Sequence, residues 1–184
     1  MTNFTKIGKK SAAYRHVLIL MRHGKAEGMN EQGDQYRQLT DKGLKQSKKM
    51  GKAIADMGLV PDIIASSAAT RARQTTERLL ATFGDGPDVR YHMDLYDHGM
   101  QAIMDELAHT KDKHRVLMVV CHEPTVSYAA QWLASPESDP VLLGELALGF
   151  APSSIAVLAS DDPFAQWQTK SGLLVATVSP KELD

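Results

Sequence analysis

One cysteine stands among the 184 residues, which leaves no intramolecular disulfide framework and fits a reducing cytoplasm. Charge of neither sign dominates. Lys and Arg total 21 against 22 Asp and Glu, a formal net charge of −1, and this argues against a general nucleic-acid or membrane-surface binder. No apolar run approaches the ~20 residues that a membrane-spanning helix needs. Residues 1–15 carry Lys6, Lys9, Lys10 and Arg15, a charged start such as a signal peptide has. The apolar run that follows is too short for secretion and ends at Arg22. A flexible N-terminal tail is expected over 1–15, with a basic docking arm as the alternative. Internal repeats and low-complexity segments are lacking, so residues 16–184 are expected to form a single domain, long enough to bury a proper core.

Several chemistries lack a necessary partner. Gly28 to Gly33 has the glycine spacing of a phosphate-cradling P-loop, but Asp34 follows where that motif needs lysine. Cys121 beside His122 suggests a thiol nucleophile, yet a cysteine phosphatase needs an arginine six residues on, where Ser127 stands. Cys121 reads instead as a small buried strand residue. His122-Glu123 opens a zinc-protease pattern, but position 126 is Val and no second histidine follows at helical spacing. His92, His98, His109 and His114 show no metal-ligand spacing. Neither a metal nor a cofactor is expected.

What is present is a repeated grammar of short apolar runs that end in cations. Val17-Leu-Ile-Leu-Met runs directly into Arg22-His23-Gly24, as a strand buried on both faces does. Pro61-Asp-Ile-Ile-Ala-Ser66 precedes Arg71, and Arg115-Val-Leu-Met-Val-Val-Cys121 discharges into His122-Glu-Pro-Thr125. Open α/β sheets bind ligands at the carboxyl ends of their strands. Parallel neighbours would therefore bring two arginines and two histidines to one pocket, with helix N-termini adding backbone donors. Arginine's planar fork matches phosphate oxygens. Gly24, lacking a Cβ, would let a ligand approach the main chain.

Between these runs, a helix is expected from Thr40 or Asp41 to Gly58, with lysines 42, 45, 48, 49 and 52 on its solvated face. A second spans Thr70 to Phe83, an edge strand Val89 to His92, a turn Asp94 to Gly99 and a helix Met100 to His109. A further helix has Pro124 in its first turn. Ser135 to Pro140 reads as a loop, and Ser154–Ala159 and Gln166–Val178 as final strands. The alternation predicts an α/β fold: a mostly parallel central sheet with helices on both faces.

These motifs together resemble the histidine phosphatase superfamily, the phosphoglycerate-mutase-like fold. Arg22-His23-Gly24, the Ser66-to-Thr75 block around Arg71 and His122-x-Pro124 carry the resemblance, which extends over Val17 to Val178. Within that superfamily the chain is most similar to the small SixA-type phosphohistidine phosphatases. Asp34-x-x-Arg37-Gln-Leu-Thr-x-x-Gly43 matches their Asp-x-x-Arg-Pro-Leu-Thr segment with Gln38 for proline, and Ala68 replaces another common proline. The resemblance implies a cytoplasmic phosphatase that needs no metal. His23 would be its nucleophile, held by a backbone carbonyl at its other ring nitrogen, and Arg22, Arg71 and His122 would surround the phosphoryl oxygens. Arg37 is a further substrate contact by the same resemblance, or else a solvated loop arginine. Arg73 is structural. The expected substrate is a phosphohistidine-bearing protein. The alternatives are a small phosphoester, such as a sugar phosphate or nucleotide, and a catalytically dead phospho-ligand binding module. No nucleic acid or membrane partner is expected, and the protein should be a monomer or weak dimer. Broad-specificity members place a carboxylic acid near the phosphate; here Asp97 is the candidate, with turn capping as its competing role.

Overall fold

The computed structural model describes residues 2–183. In chain order the elements are α1 (Phe4–Ala12), β1 (His16–Arg22), α2 (Asp41–Asp56), β2 (Ile63–Ser67), α3 (Thr70–Phe83), β3 (Asp88–His92), α4 (Asp94–Asp97), α5 (Met100–His109), β4 (Val116–Cys121), α6 (Thr125–Leu133), α7 (Pro140–Ala147), β5 (Ile155–Ser160) and β6 (Leu173–Val178), with short 3₁₀ turns at Asp34–Tyr36, Phe164–Gln166 and Pro180–Leu183. The strands form one sheet in the order β3-β2-β4-β1-β5-β6. Parallel pairing joins β3, β2, β4 and β1, and β5 lies antiparallel between β1 and β6. Only β5 is reversed, so the sheet is mostly parallel. The chain has the expected α/β architecture, a mostly parallel sheet with helices on both faces.

β1 is central and shows why its apolar run is unbroken. Leu18 and Leu20 enter the core under α5, α6 and α7, whereas Val17, Ile19 and Met21 enter the core under α1, α2 and α3. A strand covered on both faces needs no polar alternation. Each flanking helix buries one stripe: Met50, Ala53 and Ile54 from α2, and Val126, Ala129, Ala130 and Leu133 from α6. Thr40 caps α2 by accepting the Gly43 N–H at 3.1 Å, as a Thr N-cap does.

Three local expectations are corrected. The N-terminal tail is a helix over Phe4–Ala12: Asn3 caps it, Ile7 and Ser11 are buried, and Gly8 packs so closely on Met57 that a Cβ would lie 2.3 Å from its carbonyl oxygen. A nine-residue helix is marginal by itself, so its order comes from docking on the end of α2, a contact that the lysine-rich sequence does not announce. The segment Asp94 to Gly99 contains the four-residue helix α4 rather than a turn alone. The last strand is shorter than expected. Phe164–Gln166 forms a 3₁₀ turn and buries Phe164 and Trp167 in the core before β6 starts at Leu173.

Candidate active site

The carboxyl ends of β1, β2 and β4 lie side by side, with Arg22 level with Cys121 and Ser66 level with Val120. His23 follows β1, Arg71 sits in the first turn of α3 beyond β2, and His122 follows β4. With Arg22 at the end of β1, the four residues expected at the phosphate site thus share one edge of the sheet. His23 N–H donates to Cys121 O at 3.1 Å, extending the ladder by one residue. Its own carbonyl accepts from Ser153 N–H. Ser153 is buried at a φ of 62°, a left-handed conformation unusual for serine. A strained residue is thus held against the backbone of the central histidine.

The His23 ring is only 7% exposed. Its Nδ1 lies 2.7 Å from Gly24 O. A carbonyl can only accept, so Nδ1 carries the proton and Nε2 bears the lone pair. The expected backbone partner is therefore Gly24. Arg71 Nε–H donates to that Nε2 at 3.2 Å. Burial first, with smaller contributions from His122, Arg71 and Arg22, lowers the His23 pKa to about 3, against the raising effect of the Gly24 hydrogen bond. The imidazole is neutral and nucleophilic at physiological pH.

His122 packs its ring 5.0 Å from that of His23, centroid to centroid. Burial, followed by Arg71, lowers its pKa to about 4, so its role as a donor rests on the tautomer rather than on protonation. Its Nε2 lies 2.7 Å from Ser67 Oγ. That hydroxyl oxygen also accepts the Ala69 N–H, and Nε2 is the acceptor within reach of its own proton. The ring proton then sits on Nδ1, which is buried without a partner. Arg22 Nε is likewise buried and unpartnered, while Nη1 donates to Phe150 O at 2.6 Å. Buried donors without acceptors are unfavourable unless a ligand supplies the oxygens. An anion fits both.

Asp34 and Tyr96 complete the arrangement and were not expected in these roles. Arg71 donates through Nη1 to Asp34 O at 2.7 Å and through Nη2 to Asp34 Oδ2 at 3.0 Å. Tyr96 O–H donates to the same Oδ2 at 2.9 Å, and Arg37 Nη1 to Oδ1 at 2.8 Å. These donors, Arg37 and Tyr96 foremost, hold the Asp34 carboxyl far below the usual carboxylate range. The Tyr96 ring also stands edge-on to His122, 5.5 Å away. Arg37 is fixed besides by Nε–H donation to Glu27 O, so it reaches the site as a partner of Asp34. Asp34 belonged to a recognisable segment, but nothing in its spacing pointed to Arg71. Tyr96 lies on a short helix with no motif around it.

Gly24 acts differently from the expectation. Its N–H donates to Thr75 Oγ1, and a Cβ would meet Ser47 Oγ at 2.7 Å and Gly43 O at 2.9 Å. The absent side chain makes room for the first turns of α2, and the amide is already engaged. Arg73 turns away, donating to Ala68 O and lying 4.3 Å over the Tyr91 ring. Cys121 is buried, its thiol pushed up to about 11 by desolvation, which suits no thiolate role. Asp97 pairs with His98 Nδ1 at 2.6 Å. With Asp94, these two form the cluster, among the described residues, whose spacing could hold a metal, but all three are exposed.

The fold and the site define an α/β enzyme whose paired histidines and arginines form an anion pocket at the sheet's carboxyl edge. Residues 18–99 match the family profile described as the histidine phosphatase superfamily (branch 1). The Mycobacterium tuberculosis protein Rv1276c is 31% identical over 162 residues, 88% of this chain and 100% of the relative. Among solved structures, the putative phosphohistidine phosphatase SixA of Nakamurella multipartitia superposes with a TM-score of 0.77 at 28% identity, covering 90% of this chain and 96% of that one. Its counterpart from Agrobacterium tumefaciens gives 0.75 at 26% identity, with 91% and 99% covered. This chain belongs to the histidine phosphatase superfamily, and its fold is of the SixA type.

Proposed function

We propose that the protein is a metal-independent phosphatase that removes the phosphoryl group from phosphohistidine in proteins, through a phosphohistidine intermediate on His23. The observation that carries this reading is the unprotonated Nε2 of a buried, neutral His23 set against the Arg71 guanidinium. Attack by that lone pair on phosphorus forms a P–N bond as the bond to the substrate's imidazole breaks. The departing nitrogen keeps the electron pair and takes a proton from solvent. Water then attacks phosphorus, the bond to His23 breaks, and inorganic phosphate leaves a neutral imidazole behind. Arg22, Arg71 and the Nδ1–H of His122 would hold the equatorial oxygens, where charge is spread in the transition state. Fixed cations and dipoles of the chain supply the positive field. A cytoplasmic setting suits the free Cys121. Asp34, the carboxylate bonded to Arg71, is held ionised and offers no proton to a leaving group. That favours an imidazole over an alkoxide as leaving group.

The test is a turnover comparison between a phosphohistidine protein and a panel of sugar phosphates, nucleotides and an aryl phosphate. The phosphohistidine substrate should have the highest kcat/KM, with the aryl phosphate next. A faster sugar phosphate or nucleotide would transfer the assignment to small phosphoesters. No turnover of any of them would leave a binding module.

A further inference from the structure

Helix α2 leads away from the pocket. Its first turn abuts the nucleophile's neighbours: a Cβ on Gly43 would lie 2.1 Å from Lys25 O, and one on Gly24 would lie 2.9 Å from Gly43 O. From that anchor the outward side of the helix presents Lys42, Lys45, Lys48, Lys49 and Lys52, all exposed. The helix has no acidic residue between its terminal Asp41 and Asp56. Arg78 of α3 shares a shallow groove with Lys45 and Lys48. Among the described residues, Lys42, Lys45, Lys48 and Lys52 form no ion pair.

A face that merely needs solvation does not require this pattern. Lys42–Lys45, Lys45–Lys48, Lys45–Lys49, Lys48–Lys52 and Lys49–Lys52 are neighbours at i,i+3 or i,i+4, and like charges at those spacings destabilise a helix. Lysine in the first turn also opposes the helix dipole. The whole chain carries a net charge of −1, so the positive charge is concentrated on one ridge rather than being a general excess. Interleaved glutamates would have solvated the same helix and stabilised it.

We propose that the lysine face of α2 is a docking surface for an acidic protein segment that flanks the phosphorylated histidine. This deepens the phosphohistidine reading and rests on it. The geometry suits a continuous segment. Lys42 to Lys52 spans about 15 Å of helix at 1.5 Å per residue, which roughly five residues of extended chain cover. Carboxylates within about ten residues of the phosphohistidine therefore reach the ridge while the phosphoryl group sits at His23. Complementary charge of this kind acts mainly on encounter, so it should raise kcat/KM and be sensitive to salt.

Two synthetic phosphohistidine peptides of equal length test this, one flanked by glutamates and the other by serine and glycine. At low ionic strength the acidic peptide should be turned over with a kcat/KM about tenfold or more above the neutral one. The advantage should collapse in about 0.5 M salt, and in the variant Lys45→Glu/Lys48→Glu/Lys52→Glu. That variant should hydrolyse free phosphohistidine at the wild-type rate. Fluorescence anisotropy with the unphosphorylated acidic peptide supplies a readout that needs no turnover. Salt-sensitive binding without turnover of either phosphopeptide keeps the docking surface and removes the phosphohistidine reading. Equal kinetics and equal binding of the two peptides overturn the docking surface. Tighter binding to vesicles of anionic lipid than to the acidic peptide overturns it too, by assigning the ridge to a membrane.

Discussion

Both ends of β1 bear a buried histidine, and the two are built for opposite ends. His16 begins the strand at 2% exposure and His23 follows it at 7%. Around His16 the neighbours are structural: Nδ1 hydrogen-bonds His114 O at 3.1 Å, and Nε2 comes within 2.9 Å of Asp112 Oδ1 without forming a hydrogen bond. Its ring also packs edge-on against Phe164 at 4.9 Å. Around His23 one nitrogen faces a carbonyl and the other faces a guanidinium donor. The first ring is fixed by a backbone carbonyl and by packing, and its Nε2 makes no hydrogen bond. The second keeps a lone pair directed at a cationic pocket. Burial alone does not mark a catalytic histidine; what marks it is which groups its two nitrogens meet.

The largest effect should separate these two ends. His23→Ala should lower turnover by about 10⁴-fold or more, as loss of a nucleophile does, with folding intact. It should also abolish the acid-labile, base-stable phosphate that a brief pulse of labelled substrate leaves on the wild type. His16→Ala should do the reverse, destabilising the fold by roughly 2–4 kcal/mol through lost packing and hydrogen bonding while turnover of the folded fraction persists. Phosphate trapped on His122 instead would break the comparison.

Next in size is Arg71→Ala, expected to cut kcat by about 10²–10³-fold, the loss of a transition-state donor worth roughly 3–4 kcal/mol. Arg73→Ala, two residues along the same helix, should stay within a few-fold because its guanidinium lies over Tyr91. Equal losses in steady-state kinetics would mean that the pocket extends further around α3 than the hydrogen bonds indicate.

The pocket end was legible in the sequence because it depends on strand ends. An apolar run, a cation or imidazole, then a helix start is a local pattern, and three copies of it placed Arg22, His23, Arg71 and His122 together. Asp34, Tyr96 and Ser67 were not legible in their roles, since each meets the site only through tertiary contact. The Asp34 carboxylate joins Arg71, Arg37 and Tyr96 from a loop whose path no periodicity describes. Helix α1 escaped notice for a related reason: its packing partner is a carbonyl at the far end of α2. Helix α7 begins at Pro140 with Asp139 as its cap, where only a loop ending was expected.

A smaller effect should appear in acid. His23 and His122 are neutral in the folded protein, with pKa values lowered to about 3 and about 4, while both return to the ordinary ~6.5 on unfolding. Between those values the unfolded chain binds more protons, so stability is fully present above the unfolded pKa and is lost as pH falls. From pH 7 to 5 each histidine should cost up to about 2 kcal/mol. The thermal midpoint should drop over that interval, and His23→Asn/His122→Asn should flatten the drop. A midpoint in the wild type that does not change with pH would mean that the rings are charged, and the contrast between the ends of β1 would lose its electrostatic half.

The smallest effect is expected at Asp97, and it bears on what the pocket lacks. An alkoxide is a strongly basic leaving group, and general acid help is typically worth about 10²–10⁴-fold. Asp97 is the carboxyl group that the sequence offers for that task, but it lies exposed and hydrogen-bonded to His98 Nδ1. Asp34 does reach the pocket, yet Arg37, Tyr96 and Arg71 hold it as the anion, so it has no proton to give at neutral pH. An imidazole leaving from phosphohistidine is far less basic and can be protonated by solvent. Asp97→Asn should therefore leave phosphohistidine turnover within a few-fold of wild type, and alkyl phosphates should be slow substrates before and after the change. If the substitution abolished turnover, Asp97 would have to swing from His98 to the leaving group. The pocket would then hold an acid as well as a nucleophile, and sugar phosphates would become its natural substrates.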